Sequence, residues 1–430
     1  MSRNKLTPPV EKHLLWFAGY VLLVIAVGLL TGAWWRPLSS DETVNYLPAI
    51  TYFRTALPWL PLNGYPFPAP PLALGIQGWM FALFHESIPG LRAGFSTVAA
   101  LATGWFLFRS RKDDGASTNA GLLWMAAILT FPYFFWNTFT LKYHTFSAGL
   151  MLGAMEMWRG ALKQERLTAW IAPGLLLTAA MLTTQLCLPL CEALVLSVCC
   201  GMIQKNDRSL KDIVAAIVAA GLPVVPLACF ILLWHGSHPA AWRSPYPEND
   251  VVGFHISIAQ WMLGFICLGV WFAPVTLRSR KLWMVVAAAA IPCALIIKSS
   301  GLYTRPDDFL HTGMGPASLI LRKLWAVSGI AGMSVAGLLA AMGVASWVQP
   351  GFTGGWNRFA RIYIAMFLLA MSVAVGYLYE SYYLLLLVPL FQTASFARQK
   401  PLDKYGVTAL IAQIMAGTGY AAYKLLDLNS

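Results

Sequence analysis

The chain has 430 residues, of which 58% are hydrophobic and only 11% charged, and its mean hydropathy is +0.62. Because soluble proteins are about one quarter charged, this composition excludes a soluble enzyme. The 30 Lys and Arg residues against 18 Asp and Glu give a formal charge of +12, which in a soluble protein would point to nucleic acid or an anionic surface.

Long apolar runs recur along the whole chain. A membrane-spanning helix needs about 20 apolar residues, and the first such run follows a short basic leader. The pattern predicts an all-α polytopic membrane protein with about thirteen transmembrane helices in a single domain, residues 1–430. The predicted spans are Leu14–Ala33, Leu91–Phe108, Ala120–Trp136, Thr145–Trp158, Ala169–Thr184, Pro189–Ile203, Ile213–Trp234, Ile256–Leu277, Leu282–Ile297, Leu324–Trp347, Ile362–Tyr379, Tyr382–Ala397 and Gly406–Tyr423.

One further stretch, Pro71–Phe84, is apolar but short, and it is either a span or a helix lying in the membrane surface. If it does not span, most Lys and Arg residues fall on the cytoplasmic side, whereas a spanning helix would move most of them outside. The positive-inside rule therefore predicts thirteen spans, with the N-terminus cytoplasmic and the C-terminus outside. The net positive charge then sets the orientation of the chain, and we expect no nucleic-acid partner.

The first outer loop, residues 34–90, carries the most informative motif. Asp41 and Glu42 follow two serines, and the amphipathic stretch Tyr46–Phe53 behind them suits an interfacial helix. A Pro-rich segment, Tyr65–Leu72, then returns the chain to the membrane. One interpretation is helix capping, in which Ser39 or Ser40 caps the helix and the two acids lie in its first turn.

The other interpretation is catalytic, because a carboxylate at the outer membrane boundary suits a reaction on a lipid-borne sugar phosphate. Six of the seven histidines also lie outside in this topology. Sugar transfer from a polyprenyl phosphate needs a base that removes the proton of the acceptor hydroxyl. The phosphate leaves without an acid, so one carboxylate suffices for an inverting displacement, by analogy with the base of inverting glycosidases.

The Asp41-Glu42 pair after the first span, the interfacial helix, the Pro70-Pro71-Leu72 return and the number of spans together resemble the GT-C superfamily of polyprenyl-phosphate-sugar glycosyltransferases. Weaker matches point toward the dolichyl-phosphate-glucose alpha-1,2-glucosyltransferase family, and they are Leu47-Pro48, residues 131–137, Thr184-Gln185 and residues 379–383. The resemblance implies an active site on the outer face, with Asp41 as general base and Glu42 orienting it or the local backbone.

Several other outer residues are candidates for contact with substrate. Lys142 follows the third span and is either a phosphate or sugar contact or a snorkelling interfacial lysine. The remaining candidates are His144, Arg243, Arg305, Asp307, Asp308, His311, Glu380 and Tyr382. His235 and His238 have a spacing that a divalent metal could use, but the sequence fixes no further ligand and does not indicate a metal cofactor.

The sequence thus predicts a hexosyltransferase with a polyprenyl-phosphate-sugar donor, a glycan or lipid-linked acceptor and membrane lipids as its partners. The chain contains no N-glycosylation sequon, which favours a bacterial inner membrane and undecaprenyl phosphate as the carrier. The alternatives are a lipid-linked-sugar flippase or another polytopic transporter, and a non-catalytic assembly subunit. Charges within the spans are sparse, whereas coupled transporters usually carry ionisable groups near the midplane.

Overall fold

The structure, a computed structural model, describes residues 9–39, 41–55, 64–112, 119–164, 166–201, 210–236, 239, 241, 258–277, 279–300, 302, 315–350, 355–374, 380–397 and 404–426. All regular secondary structure in these ranges is helical. The α-helices are α1 (Pro9–Leu30), α2 (Leu47–Thr55), α3 (Leu72–Leu83), α4 (Ile88–Lys112), α5 (Asn119–Leu129), α6 (Pro132–Asn137), α7 (His144–Lys163), α8 (Ile171–Met181), α9 (Leu188–Cys199), α10 (Leu210–Gly221), α11 (Val224–Trp234), α12 (Ile258–Cys267), α13 (Ala273–Thr276), α14 (Arg280–Ser299), α15 (Pro316–Val327), α16 (Gly329–Val348), α17 (Gly355–Ala374), α18 (Leu384–Ala397) and α19 (Lys404–Leu426).

Within the described residues, four helical segments are long and apolar enough to cross a membrane: Leu210–Trp234, Ile258–Thr276, Arg280–Ser299 and Gly329–Val348. Shorter apolar helices accompany them, among them Phe17–Leu30 and Leu384–Ala394. The protein is therefore an integral membrane protein. The total of about thirteen spans stays a prediction.

Several predicted spans are interrupted, and two of the breaks have a clear local cause. The span predicted over Ala120–Trp136 is divided into α5 and α6, because Pro132 cannot donate the helical hydrogen bond and stands at the first position of α6. The span predicted over Leu324–Trp347 has the wrong start, because its first residues belong to the preceding helix. Helix α15 ends at Val327, and Ser328 caps α16 by accepting a hydrogen bond from the Ala331 amide at 3.4 Å.

The helices pack through close backbone contacts. Helix α4 lies against both α1 and α7, and α16 lies against both α12 and α14. A Cβ atom at Gly343 in α16 would overlap the carbonyl oxygen of Phe265, and one at Gly269 would overlap the carbonyl oxygen of Leu339. Small residues at such crossings let helix backbones touch, which is a common source of stability for helices in lipid.

The first loop is fastened to the turn between α8 and α9. The Leu72 amide donates to the carbonyl oxygen of Leu182 at 2.8 Å, and the side-chain amide of Gln185 donates to the carbonyl oxygen of Pro68 at 2.8 Å. Helix α3 has 12 residues, a length of about 18 Å, which is too short for a hydrocarbon core of about 30 Å. Helix α9, which belongs to a predicted span, has the same length, so the non-spanning position of Pro71–Phe84 stays a prediction.

Candidate active site

The Asp41-Glu42 motif opens a helical run that continues as a π-helical turn, Glu42–Tyr46, and then as α2. Ser39 begins this run: its carbonyl oxygen accepts from the Thr43 amide at 2.9 Å, and its hydroxyl accepts from the Glu42 amide at 3.3 Å. The Glu42 carboxylate in turn accepts from the Ser39 amide at 3.0 Å. This reciprocal arrangement is a capping box, and it confirms the predicted role of Ser39. The helix predicted over Tyr46–Phe53 is likewise confirmed.

Glu42 is fully buried and sits between two arginines. Its Oε2 lies 2.7 Å from Nη2 of Arg36 and 3.1 Å from Nη2 of Arg92, and both Glu42 and Arg92 have no exposed side-chain area. Its Oε1 accepts from the Leu141 amide at 3.0 Å. Glu42 therefore joins the first loop, the start of α4 and the segment that precedes α7.

Charge balance keeps this buried carboxylate ionised. Burial alone would raise the pKa of Glu42, but the guanidinium groups of Arg36 and Arg92 and the hydrogen bonds from Leu141 and Ser39 together hold it below its ordinary value. A carboxylate this heavily bonded is a poor base. Its contacts join Arg36, Arg92 and the backbone of Leu141.

Asp41 has a different environment. Its side chain is 39% exposed, its Oδ2 lies 2.7 Å from Nζ of Lys142, and its Oδ1 accepts from the side-chain amide of Asn45 at 2.8 Å. Burial of its remaining surface would raise the pKa of Asp41, but the Lys142 ammonium, the Asn45 amide and His144 hold it below its ordinary value. Asp41 is therefore the carboxylate of this pair that solvent can reach.

Aromatic rings surround this ion pair on the side of α7. Tyr46 packs against Phe67 and Tyr143, with ring centroids 5.1 and 5.9 Å apart. His144 lies 4.7 Å from the ring of Tyr143 and 5.4 Å from that of Tyr382. His144 is buried, and its Nδ1 has no hydrogen-bond partner among the described residues.

Some of the predicted site residues come together in space. Lys142 and Tyr382 reach the Asp41 region from segments that are remote in sequence, and Lys142 is an ion-pair partner rather than a free interfacial lysine. Glu380 begins a short 3-10 turn, Glu380–Tyr383, but its side chain is outside what the structure describes. The candidates that lie outside the described residues altogether are Arg243, Arg305, Asp307, Asp308 and His311.

Sequence reasoning missed Arg36, Arg92 and Asn45. A signal for Arg92 was present, since a basic residue at the second position of the predicted span Leu91–Phe108 needs a buried partner. Arg36 follows a Trp-Trp pair, and its guanidinium lies 5.0 Å from the ring centre of Trp136. Only the fold reveals that both arginines meet Glu42.

Among the described residues, no group of three or more His, Cys, Asp and Glu side chains is arranged to hold a metal ion. Of the histidine pair with metal-compatible spacing, His235 closes α11 in a left-handed conformation with φ of 52°, and His238 lies outside the described residues. The cation that the structure does bring to Asp41 is the Lys142 ammonium.

No family model matches the chain, and no curated protein matches it. Among solved structures it is similar to ArnT from Cupriavidus metallidurans in the apo state, with 14% identity and a TM-score of 0.43 over 95% of this chain and 78% of that one. It is also similar to the archaeal oligosaccharyltransferase AglB from Archaeoglobus fulgidus in complex with an inhibitory peptide and a dolichol-phosphate, with 14% identity and a TM-score of 0.40 over 96% and 55%. An Archaeoglobus fulgidus oligosaccharyltransferase in complex with Zn and sulfate gives 10% identity and a TM-score of 0.35 over 90% and 54%. Similarities this remote assign neither a family nor an activity.

Proposed function

We propose that the protein is an inverting glycosyltransferase that moves a hexose from a polyprenyl-phosphate-sugar donor to an acceptor on the extracytoplasmic face of a bacterial inner membrane. The observation that carries this proposal is the pair of adjacent carboxylates with separate environments. Glu42 is buried and bonded on all sides, whereas Asp41 is half-exposed beside a lysine. A solvent-accessible carboxylate next to a cation is what base-assisted displacement of a phosphate requires.

In the proposed reaction, Asp41 accepts the proton of an acceptor hydroxyl while that oxygen attacks C1 of the sugar. The new C1–O bond forms on the face opposite the phosphate, the old C1–O bond breaks, and the electron pair leaves with polyprenyl phosphate. The leaving phosphate gains one negative charge, which Lys142 stabilises. Inversion at C1 follows from a single displacement.

The surrounding side chains support this chemistry. Glu42 holds the backbone of Leu141 one residue before Lys142, so it is a positioning residue that fixes the distance between base and cation. The rings of Tyr46 and Tyr143 are buried and pack behind the site, whereas Tyr382 is partly exposed and offers an apolar ring to a sugar. The Nδ1 atom of His144 has no partner among the described residues but is buried, so its contact with a substrate hydroxyl requires Tyr382, which packs on its ring, to move.

The test is transfer by the purified protein in detergent or proteoliposomes. The donors are undecaprenyl-phosphate hexoses labelled in the sugar, the acceptor is an extract of bacterial membrane glycolipids, and the readout is label in a new product. Asp41→Asn should lower kcat by about 10²- to 10⁴-fold, the usual contribution of a general base. The matched control is Glu86→Gln, an exposed acid of the same loop that pairs with Arg54, and it should transfer at the wild-type rate.

Wild-type turnover by a correctly folded Asp41→Asn protein would refute the assignment of the base. Movement of the labelled lipid across a proteoliposome membrane without any transfer would favour the flippase alternative. A product that retains the anomeric configuration of the donor, read by NMR, would exclude the single displacement.

A further inference from the structure

The three ion pairs described at the site differ in their exposure to solvent. The pairs of Glu42 with Arg36 and Arg92 are buried, with at most 8% of a side chain exposed. The Lys142–Asp41 pair is open to solvent, with 26% and 39% of the side chains exposed. An exposed pair of this kind contributes little to stability, so it can open without disturbing the fold.

Lys142 is fixed by its backbone, whereas its ammonium group is held only by the exposed pair with Asp41 among the contacts of the described residues. Its amide donates to the hydroxyl of Thr140 at 3.2 Å, and the preceding residue, Leu141, is bonded to Glu42 and to the side-chain amide of Gln77. Helix α7 starts two residues later at His144, so the positive end of its dipole lies close by. The backbone of Lys142 is therefore already in place for an anion, and a rotation of the Lys142 side chain is enough to bring its ammonium to that anion.

The charges of the reaction favour such a turn. A donor phosphodiester carries one negative charge, and the departing phosphate monoester carries two, whereas Asp41 loses its charge when it takes the acceptor proton. Both changes draw the Lys142 ammonium away from Asp41 and toward the phosphate. While Lys142 stays on Asp41, the carboxylate is a weakened base.

We propose, building on the proposed function, that Lys142 exchanges partners: it holds Asp41 while the donor site is empty and moves to the donor phosphate when the donor binds, which frees Asp41 for the acceptor proton. Binding is thereby ordered. The base becomes competent only after the donor is in place, so acceptor activation without a donor is avoided.

In this exchange, Asp41 and the lipid phosphate compete for the Lys142 ammonium. A double-mutant cycle on Asp41 and Lys142 measures this competition as a change in the Kd of the lipid. The probe is undecaprenyl phosphate, which carries the phosphate whatever the sugar is, and its Kd is measured in nanodiscs by native mass spectrometry. Asp41→Asn should tighten binding by up to about fivefold, the upper end for an exposed ion pair. Lys142→Met should weaken it by about 10- to 100-fold, the range for a hydrogen bond to a charged group, and Lys142→Arg should weaken it much less.

The decisive comparison is Asp41→Asn in the Lys142→Met background, where the Kd should no longer change. If Asp41→Asn tightens binding equally in both backgrounds, Asp41 merely repels the phosphate and the exchange is refuted. If the wild-type protein binds no undecaprenyl phosphate, the proposed function itself fails. Arg54→Met with Glu86→Gln, which removes an exposed ion pair of the first outer loop away from Asp41, is the control and should leave the Kd unchanged.

Discussion

Replacing Glu42 by Gln should destabilise the protein far more than replacing Asp41 by Asn, although the two residues are neighbours. The glutamine side chain keeps the shape of the glutamate but loses its charge and one of its two acceptor oxygens. The donors that now converge on Glu42 are Arg36 at 2.7 Å, Arg92 at 3.1 Å, the Ser39 amide and hydroxyl at 3.0 and 2.9 Å, and the Leu141 amide at 3.0 Å.

The magnitude follows from burial. Removal of one partner from a buried ion pair costs about 3–5 kcal/mol, because the other charge stays in the protein without compensation. Glu42→Gln leaves two such charges, although Arg36 retains its contact with the ring of Trp136. Asp41→Asn removes one member of an exposed pair, which is worth less than about 1 kcal/mol.

The assay is unfolding of the purified proteins in mixed micelles with increasing SDS, followed by tryptophan fluorescence. We expect a large loss in the free energy of unfolding for Glu42→Gln and almost none for Asp41→Asn, whereas transfer should be lost in Asp41→Asn. Equal stability of Glu42→Gln and wild type would refute the structural role of the buried cluster. Equal losses in both variants would show that Asp41 is also structural.

Further predictions concern pH and packing. Since the pKa of Glu42 is lower in the folded protein than its ordinary value of 4.5, its contribution to stability is complete above that value and is lost as the pH falls through the folded pKa. Asp41, whose pKa is also lowered, remains in Glu42→Gln, so acid titration of unfolding should show a larger loss of stability in wild type than in Glu42→Gln. Gly343→Ala should lower stability by about 1–3 kcal/mol because its Cβ would strike the backbone of Phe265. The matched control, Gly19→Ala, has open space around its Cβ and should be neutral or slightly stabilising by SDS unfolding.

The local features of the site were predictable because they depend on neighbours in sequence. A serine three residues before a glutamate predicts a capping box, and Ser39 and Glu42 form one. The positions of the long apolar helices along the chain were also predictable from the apolar runs. Their ends were less predictable where a single residue interrupts an apolar run, as Pro132 and Ser328 do.

The separate environments of Asp41 and Glu42 were not predictable, because adjacent acids give no indication of which one faces the protein. Successive helical residues point about 100° apart, so the two carboxylates face different directions, and here one of them turns inward. Which one does is decided by Arg36 and Arg92, and Arg92 lies 50 residues further along the chain. Such long-range compensation is a property of the packed helices and cannot be read from a local pattern.

The charges of the site also explain why three cations accompany two carboxylates. Arg36, Arg92 and Lys142 against Asp41 and Glu42 give a net charge of three minus two, about +1 with a neutral His144. A donor phosphodiester with one negative charge brings the total to zero. After transfer, Asp41 is protonated and the phosphate carries two negative charges, so the total is three minus one minus two, again zero. The site is therefore charged when empty and neutral before and after the proposed transfer, which favours donor binding and avoids any build-up of net charge during the chemical step.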